Sequence, residues 1–83
     1  MNKKYFKELI QAVLGTNNEQ DLKMFFRGLF TPKELEEISV RLQIVKLLKQ
    51  GVPQRSIAKK LKVGIATVTR GSREIINNRF QNV

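Results

Sequence analysis

The sequence predicts a single all-α domain, residues 1–83, built from about five helices. Apolar residues recur with the 3.6-residue period of a helix, and no segment shows the strict alternation of a half-buried strand. Glycine, proline and asparagine divide the chain into five such segments. A core from 83 residues is small, so we expect a partner subunit to contribute to burial.

Two amphipathic helices are predicted before residue 30. The first covers about residues 3–14 and stops at Gly15. The second follows Asn17 and Asn18, which are good helix caps, and carries acidic residues in its first turn, where the positive helix end favours them.

The third helix has the clearest start signal. Thr31 is a capping residue, Pro32 suits the first helical position, and Glu34 can complete a capping box. We expect the helix to reach about Gln50, with Gly51 as its stop. Its core-facing stripe should comprise Leu35, Ile38, Leu42, Val45 and Leu48, widened by Ile44 and Leu47. So wide a stripe indicates packing on two sides, either against a second subunit or within the chain.

The segment after Pro53 has the spacing of a helix-turn-helix. A short helix over 54–61 is followed by a turn at 62–64 and a last helix that runs from 65 to roughly 76. Ala58 is small where the two helices cross, and Val68 can lock the second helix onto the first. In this motif the second helix places its N-terminal residues in the major groove of DNA.

One turn position departs from the usual motif. Glycine often stands where this chain has Lys62, and it arrives two residues later at Gly64. Lys62 must therefore adopt a left-handed backbone, or the turn must be of another kind.

The charge distribution indicates the partner of this motif. Residues 52–83 hold seven bases and one acid, whereas residues 1–51 hold nine bases and six acids. Such asymmetry is typical of a nucleic-acid-binding surface, although a basic face can also serve solubility alone. A plain helical hairpin is the structural alternative to the helix-turn-helix.

The DNA-binding hypothesis assigns two groups of residues. Groove-reading positions at the start of the last helix are Gly64, Ile65, Ala66, Thr67 and Thr69. Phosphate-binding positions are Gln54, Arg55, Lys59 and Lys60. Phosphate contacts would supply most of the affinity and make it steeply dependent on salt.

Composition argues against enzymatic chemistry and metal binding. The chain contains neither cysteine nor histidine. This excludes disulfides, thiolate nucleophiles, histidine general bases and nearly all zinc sites. We therefore expect neither an enzyme nor a metalloprotein.

The N-terminal segment is not expected to be a targeting signal. Lys7, Glu8 and Gln11 interrupt its apolar residues, which argues against a signal peptide or a membrane span. The expectation is a cytoplasmic protein without membrane contact.

The segment from Phe30 to Ser72 resembles the bacterial Trp repressor family. Matching features are Thr31-Pro32 before a helix, Arg41, Ile44-Val45, Gly51, Gln54-Arg55 and the run Gly64-Ile65-Ala66-Thr67-Val68-Thr69-Arg70-Gly71-Ser72. The resemblance implies a Trp-repressor-like fold, an intertwined homodimer that binds a palindromic operator in double-stranded DNA when L-tryptophan is bound.

The same resemblance implies a ligand site. Arg41 and Arg70 would flank the indole, and Arg70 and Thr31 would hold the ligand carboxylate. Gly71 would let the indole approach, and carbonyls near Gly28 and Phe30 would receive the ammonium. Glu74 stands where other members carry a serine beside that ammonium. In this family the last helix continues further than the residues up to Val83 allow.

The resulting hypothesis is a DNA-binding transcriptional repressor switched by L-tryptophan. Residues 1–51 would form the dimerisation core and residues 53–76 the DNA-reading unit. One alternative is a ligand-independent helix-turn-helix DNA binder. Another, of a different class, is a basic helical module that binds an acidic protein.

Overall fold

The computed structural model describes all residues, 1–83, and confirms an all-α fold of five helices without strands. The helices are α1 (Lys3–Leu14), α2 (Glu19–Leu29), α3 (Pro32–Lys49), α4 (Gln54–Leu61) and α5 (Ile65–Ile76). The residues form two compact units, Met1–Leu35 and Glu36–Val83. No helix is long and apolar enough to cross a membrane.

Asparagine side chains start both helices of the first unit. The Oδ1 atom of Asn2 accepts a hydrogen bond from the Tyr5 amide at 3.0 Å, and that of Asn18 accepts one from the Asp21 amide at 2.8 Å. These bonds satisfy amides that have no partner within the helix. Neither α1 nor α2 has a buried residue, and Tyr5 remains 69 % exposed. The first unit therefore has almost no core of its own.

The predicted capping box at the start of α3 is present. The Glu34 amide donates to Thr31 Oγ1 at 3.1 Å, and the Thr31 amide donates to Glu34 Oε1 at 2.9 Å. The backbone and side-chain hydrogen bonds to Thr31 lower the pKa of the Glu34 carboxyl below its ordinary value.

The core of the second unit lies between α3, α4 and α5. Ile44, Ile57 and Val68 form a buried cluster, and Val45 of α3 is buried as well. Flanking apolar side chains that pack on the cluster are Val40, Leu47, Leu48, Val52, Ala58, Leu61 and Val63.

The predicted inward stripe of α3 was wrong in part. Ile38 and Leu42 are 41 % and 42 % exposed, whereas Ile44, expected only to widen the stripe, is 1 % exposed. The apolar positions on α3 thus surround much of the helix, and within the unit Glu36–Val83 the buried Ile44 is packed with residues of α4 and α5.

Three helices are followed by a residue with a left-handed backbone conformation. These residues are Gly51 (φ 83°), Lys62 (φ 56°) and Asn78 (φ 60°). In each case the next amide bonds to a carbonyl five residues earlier: Val52 to Leu47, Val63 to Ala58 and Arg79 to Glu74, all at 3.1 Å. This is the Schellman pattern, which stops a helix and turns the chain back.

Candidate functional site

The segment from α4 to α5 folds as the helix-turn-helix that the sequence predicts. Ile57 of α4 and Val68 of α5 are fully buried against each other's helices, and Ala58 and Val63 pack on the same cluster. Lys62 takes the left-handed conformation at the turn position where the motif often has glycine. The two helices are thereby fixed to each other through their apolar sides.

The opposite side of this unit presents the predicted DNA-binding residues to solvent. Those with exposed side chains or backbone are Arg55, Lys59, Lys60, Gly64, Ile65, Ala66, Thr67 and Thr69, and only Gln54 is half-buried. Ile65, at the first position of α5, is 49 % exposed although it is apolar. No acidic side chain occurs between Arg55 and Arg73 to neutralise this surface.

A side-chain hydrogen bond joins the two helices on that surface. Thr69 Oγ1 lies 2.9 Å from Gln54 Oε1 and 3.0 Å from the Ile65 carbonyl. Because a hydroxyl has one proton, it shares that proton between the two acceptors. The bond fixes the amide plane of Gln54 and leaves its two N–H donors for other partners.

The start of α5 has no side-chain cap. Gly64 occupies the cap position with an ordinary φ of −68°, and a Cβ built there would meet nothing within 4 Å. The fold itself therefore gives no reason for glycine at this position. The result is an exposed helix N-terminus with uncapped amides, which is favourable for a phosphate.

A cavity of about 180 Å³ opens between α3, α5 and the turn that follows α5. Its lining residues are Arg41, Ile44, Val45, Thr67, Arg70, Gly71, Glu74 and Phe80. Two arginines and one glutamate thus line a space together with aliphatic residues and one aromatic residue. Such a combination suits a small zwitterion with an apolar side chain.

Gly71 has a packing role at this cavity. A Cβ at this position would lie 3.1 Å from Ile44 Cγ2 and 3.5 Å from Leu48 Cδ1. Since Ile44 is buried, it has little freedom to withdraw. Glycine therefore permits the close approach of α5 to α3, whatever else it contributes to the cavity.

Glu74 is half-buried at the cavity and is paired within the chain. Its Oε2 atom accepts a hydrogen bond from Arg79 Nε at 3.2 Å. Arg79 follows Asn78, the left-handed residue after α5. The turn at Asn78 therefore brings the Arg79 side chain back to Glu74.

Comparison with known proteins decides the family. The profile of the family described as Trp repressor protein matches residues 4–82, nearly the whole chain. The chain belongs to the Trp repressor family. This is a family of transcriptional repressors and not of enzymes.

Curated relatives agree with this assignment. A Trp operon repressor homolog of Vibrio campbellii is 37 % identical over 73 residues, which cover 87 % of this chain and 73 % of the relative. The homolog of Pasteurella multocida is 39 % identical over 71 residues, which cover 84 % of this chain and 67 % of the relative. The homolog of Mannheimia succiniciproducens is 43 % identical over 68 residues, which cover 81 % of this chain and 64 % of the relative. No solved structure gives a significant match.

The structure brings four of the seven predicted ligand residues of this Trp repressor family member to one cavity. Arg41, Arg70, Gly71 and Glu74 all line it. Gly28, Phe30 and Thr31 belong to the first compact unit, and their part in a ligand site stays a prediction. In that unit Phe30 packs edge-on against Phe26 with ring centroids 5.7 Å apart, and Thr31 caps α3.

Sequence reasoning missed part of the cavity wall. The sequence pattern predicts core positions for Ile44 and Val45 and a DNA-binding position for Thr67, and it predicts no role for Phe80, yet all four residues line the cavity. The 3.6-residue period could have placed Thr67 on the same face as Arg70 and Gly71. No periodic signal points to Phe80, because it lies beyond α5 in a turn.

The acidic residues form no metal site. No group of three or more histidine, cysteine, aspartate or glutamate side chains lies close enough to hold an ion.

Proposed function

We propose that this chain is a sequence-specific DNA-binding repressor that reads an operator with α5. The main support is that the α4–α5 pair has one buried side and one exposed side. Ile57 and Val68 are buried, whereas the cationic side chains and the uncapped start of α5 are exposed to solvent. This is the arrangement by which a helix-turn-helix enters the major groove. Its work on DNA places the protein in the cytoplasm.

The exposed groups divide into two roles. Arg55, Lys59 and Lys60 bind phosphates, and Gln54, oriented by Thr69, offers its amide donors to the same backbone. The methyl groups of Ile65 and Ala66 contact thymine methyls in the groove, and Gly64 allows the backbone to approach closely.

Binding to duplex DNA tests the phosphate role. An operator obtained by unbiased selection from random duplexes is titrated at several salt concentrations with the wild type and with Lys59→Ala. The variant should bind every duplex more weakly, and its log–log salt slope should fall by about 1. Lys23→Ala is the matched control, since Lys23 is an exposed mid-helix lysine of α2 whose only ion pair is to Glu19. Equal losses in both variants would contradict the assignment.

A second variant tests base reading. Ile65→Ala should reduce discrimination at one operator position by about 1–3 kcal/mol and leave the salt slope unchanged. A uniform loss across all sequences would instead assign Ile65 to structure.

The repressor is proposed to act as a homodimer in which residues 1–51 associate and residues 53–76 read DNA. Support comes from the large apolar side chains that remain exposed in the single chain, namely Tyr5, Phe6, Ile10, Leu14, Leu29, Ile38 and Leu42. An exposed apolar surface of this extent indicates a covering partner. A dimer places two reading helices one DNA turn, about 34 Å, apart, which explains the expectation of a palindromic operator. A monomeric mass at micromolar concentration in analytical ultracentrifugation would contradict it.

L-tryptophan is proposed as the corepressor, bound in the cavity between α3 and α5. The residues present fit an amino acid: Arg70 and Arg41 suit the carboxylate and the ring face, and Glu74 suits the ammonium. Thr31, Gly28 and Phe30 are the proposed further contacts. Bound ligand favours the arrangement of the protein that binds DNA. It can do so only because its affinity for that arrangement is higher than its affinity for the arrangement that does not bind DNA.

Calorimetric titration with L-tryptophan tests the corepressor. Arg70→Lys keeps the charge of the DNA-facing unit but loses the planar fork of the guanidinium. It should retain ligand-free DNA affinity and lose most of the response to L-tryptophan. No heat of binding in the wild type at millimolar ligand would remove the corepressor and leave the DNA-binding proposal standing.

A further inference from the structure

The turn after α5 closes one side of the cavity. Asn78 in the left-handed conformation reverses the chain, and the Arg79 amide bonds to the Glu74 carbonyl at 3.1 Å. Lys49, the last residue of α3, donates hydrogen bonds from Nζ to the Phe80 carbonyl and to the Val83 carbonyl. The ion pair between Glu74 and Arg79 adds a fourth tie. The turn is therefore fastened to both helices that form the cavity.

This fastening carries Phe80 to the cavity wall. Its side chain is half-buried, although the neighbouring residues from Asn77 to Arg79 and from Gln81 to Val83 are exposed. Of the eight residues that line the cavity, Phe80 alone is aromatic, and the remaining apolar walls are the aliphatic Ile44 and Val45. The turn thus brings Phe80 to a cavity that Arg41, Arg70 and Glu74 also line.

We infer that Phe80 is a specificity-determining residue that makes the cavity select amino acids with an aromatic side chain. This inference rests on the proposed ligand function of the same cavity and assigns the choice of ligand to a residue outside the helices. The arginines and the carboxylate recognise the charged groups that every α-amino acid shares, and a guanidinium can also stack on a ring face. Phe80 adds the one aromatic contact among the residues that line the cavity. Aromatic pairs gain stabilisation beyond the apolar area that they bury, and an aliphatic wall does not supply it.

Lys49 acts on the ligand through this turn. It does not line the cavity, yet two of the turn's carbonyls accept hydrogen bonds from its ammonium. Lys49 is therefore a positioning residue for Phe80. Removing its charge should loosen the turn and weaken ligand selection without any change in the groups that contact the ligand.

The test compares two ligands that have the same carbon skeleton, one with a flat aromatic ring and one with a saturated, puckered ring. L-phenylalanine and its saturated analogue L-cyclohexylalanine compete with L-tryptophan, whose own fluorescence reports binding because the chain contains no tryptophan. The wild type should prefer phenylalanine to cyclohexylalanine by about threefold to tenfold. Phe80→Leu, which keeps apolar bulk, should remove most of that preference, and Phe80→Tyr should retain it.

Lys49→Met should reduce the preference by about half or more, because methionine keeps the apolar stem and loses the donors. Lys46→Met is the control, since Lys46 lies one turn earlier on α3 and donates no hydrogen bond to the turn. Thermal melting of each variant confirms that it is folded.

Each outcome is decisive. Unchanged preference in Phe80→Leu, or an equal loss of affinity for both ligands, overturns the inference while the corepressor proposal stands. If the wild type binds no aromatic amino acid, the corepressor proposal fails and this inference fails with it.

Discussion

At the scale of single residues, Lys62 shows how a motif is kept when its usual residue is missing. Its φ of 56° is in a region that costs a residue with a Cβ about 1–2 kcal/mol. The Val63 amide still closes the turn at 3.1 Å to the Ala58 carbonyl, and Val63 still packs on the core. The spacing of apolar residues predicted the turn, and the packing of Ile57 on Val68 supplies the free energy that holds Lys62 in it.

Lys62→Gly should raise the free energy of unfolding by about 0.5–1 kcal/mol, since glycine removes the strain but loses more chain entropy on folding. Urea unfolding measures it. Lys62→Ala is the matched control, because it removes the same charge and retains the Cβ. A glycine variant no more stable than the alanine variant would show that the turn is not strained.

At the scale of helices, boundaries were predictable and buried faces were not. The starts and ends of α1, α4 and α5 agree with the expectation, and α3 ends at Lys49, one residue before the position expected. Caps and stops act within a few residues, so their signals are present in the sequence. Which side of α3 is buried depends on where α4 and α5 lie, and a helix apolar on several sides does not reveal that. Ile38 and Leu42 are exposed for this reason.

The capping box of α3 makes helix stability depend on pH. The pKa of Glu34 is lower in the folded chain, so its stabilisation is present above the ordinary value of 4.5 and is lost as pH falls through the folded pKa. Glu34→Gln should flatten the pH dependence of thermal stability in the range below about 4.5 relative to the wild type.

Glu36→Gln is the control for this pH effect, since it removes a neighbouring exposed carboxylate of the same helix that takes no part in the capping box. Carboxyl titration by NMR should place the pKa of Glu34 below the ordinary value for glutamate. Titration of Glu34 at that ordinary value would contradict the assignment.

At the scale of the whole molecule, one helix contributes both to the cavity and to the surface proposed to read DNA. The first half of α5 carries Ile65 and Ala66 outward, and Thr67 is both exposed and part of the cavity wall. The sequence predicted the helix-turn-helix because it is one contiguous segment with a distinctive spacing. It predicted the cavity only through family resemblance, and it missed Phe80 because three separate elements meet there.

This shared helix predicts reciprocal coupling between ligand and DNA. If L-tryptophan favours the DNA-binding arrangement, it should tighten operator binding by a factor of about 5–150, and saturating operator should tighten L-tryptophan binding by the same factor. Calorimetry of the ligand with free and operator-bound dimer, together with operator titrations at zero and saturating ligand, gives both factors at one salt concentration. Thr67→Ser keeps the hydroxyl and removes a methyl from the wall shared by both surfaces, so it should reduce both factors equally. Unequal factors would violate the thermodynamic cycle, and a pair of factors equal to one would show that the cavity and the reading helix are independent.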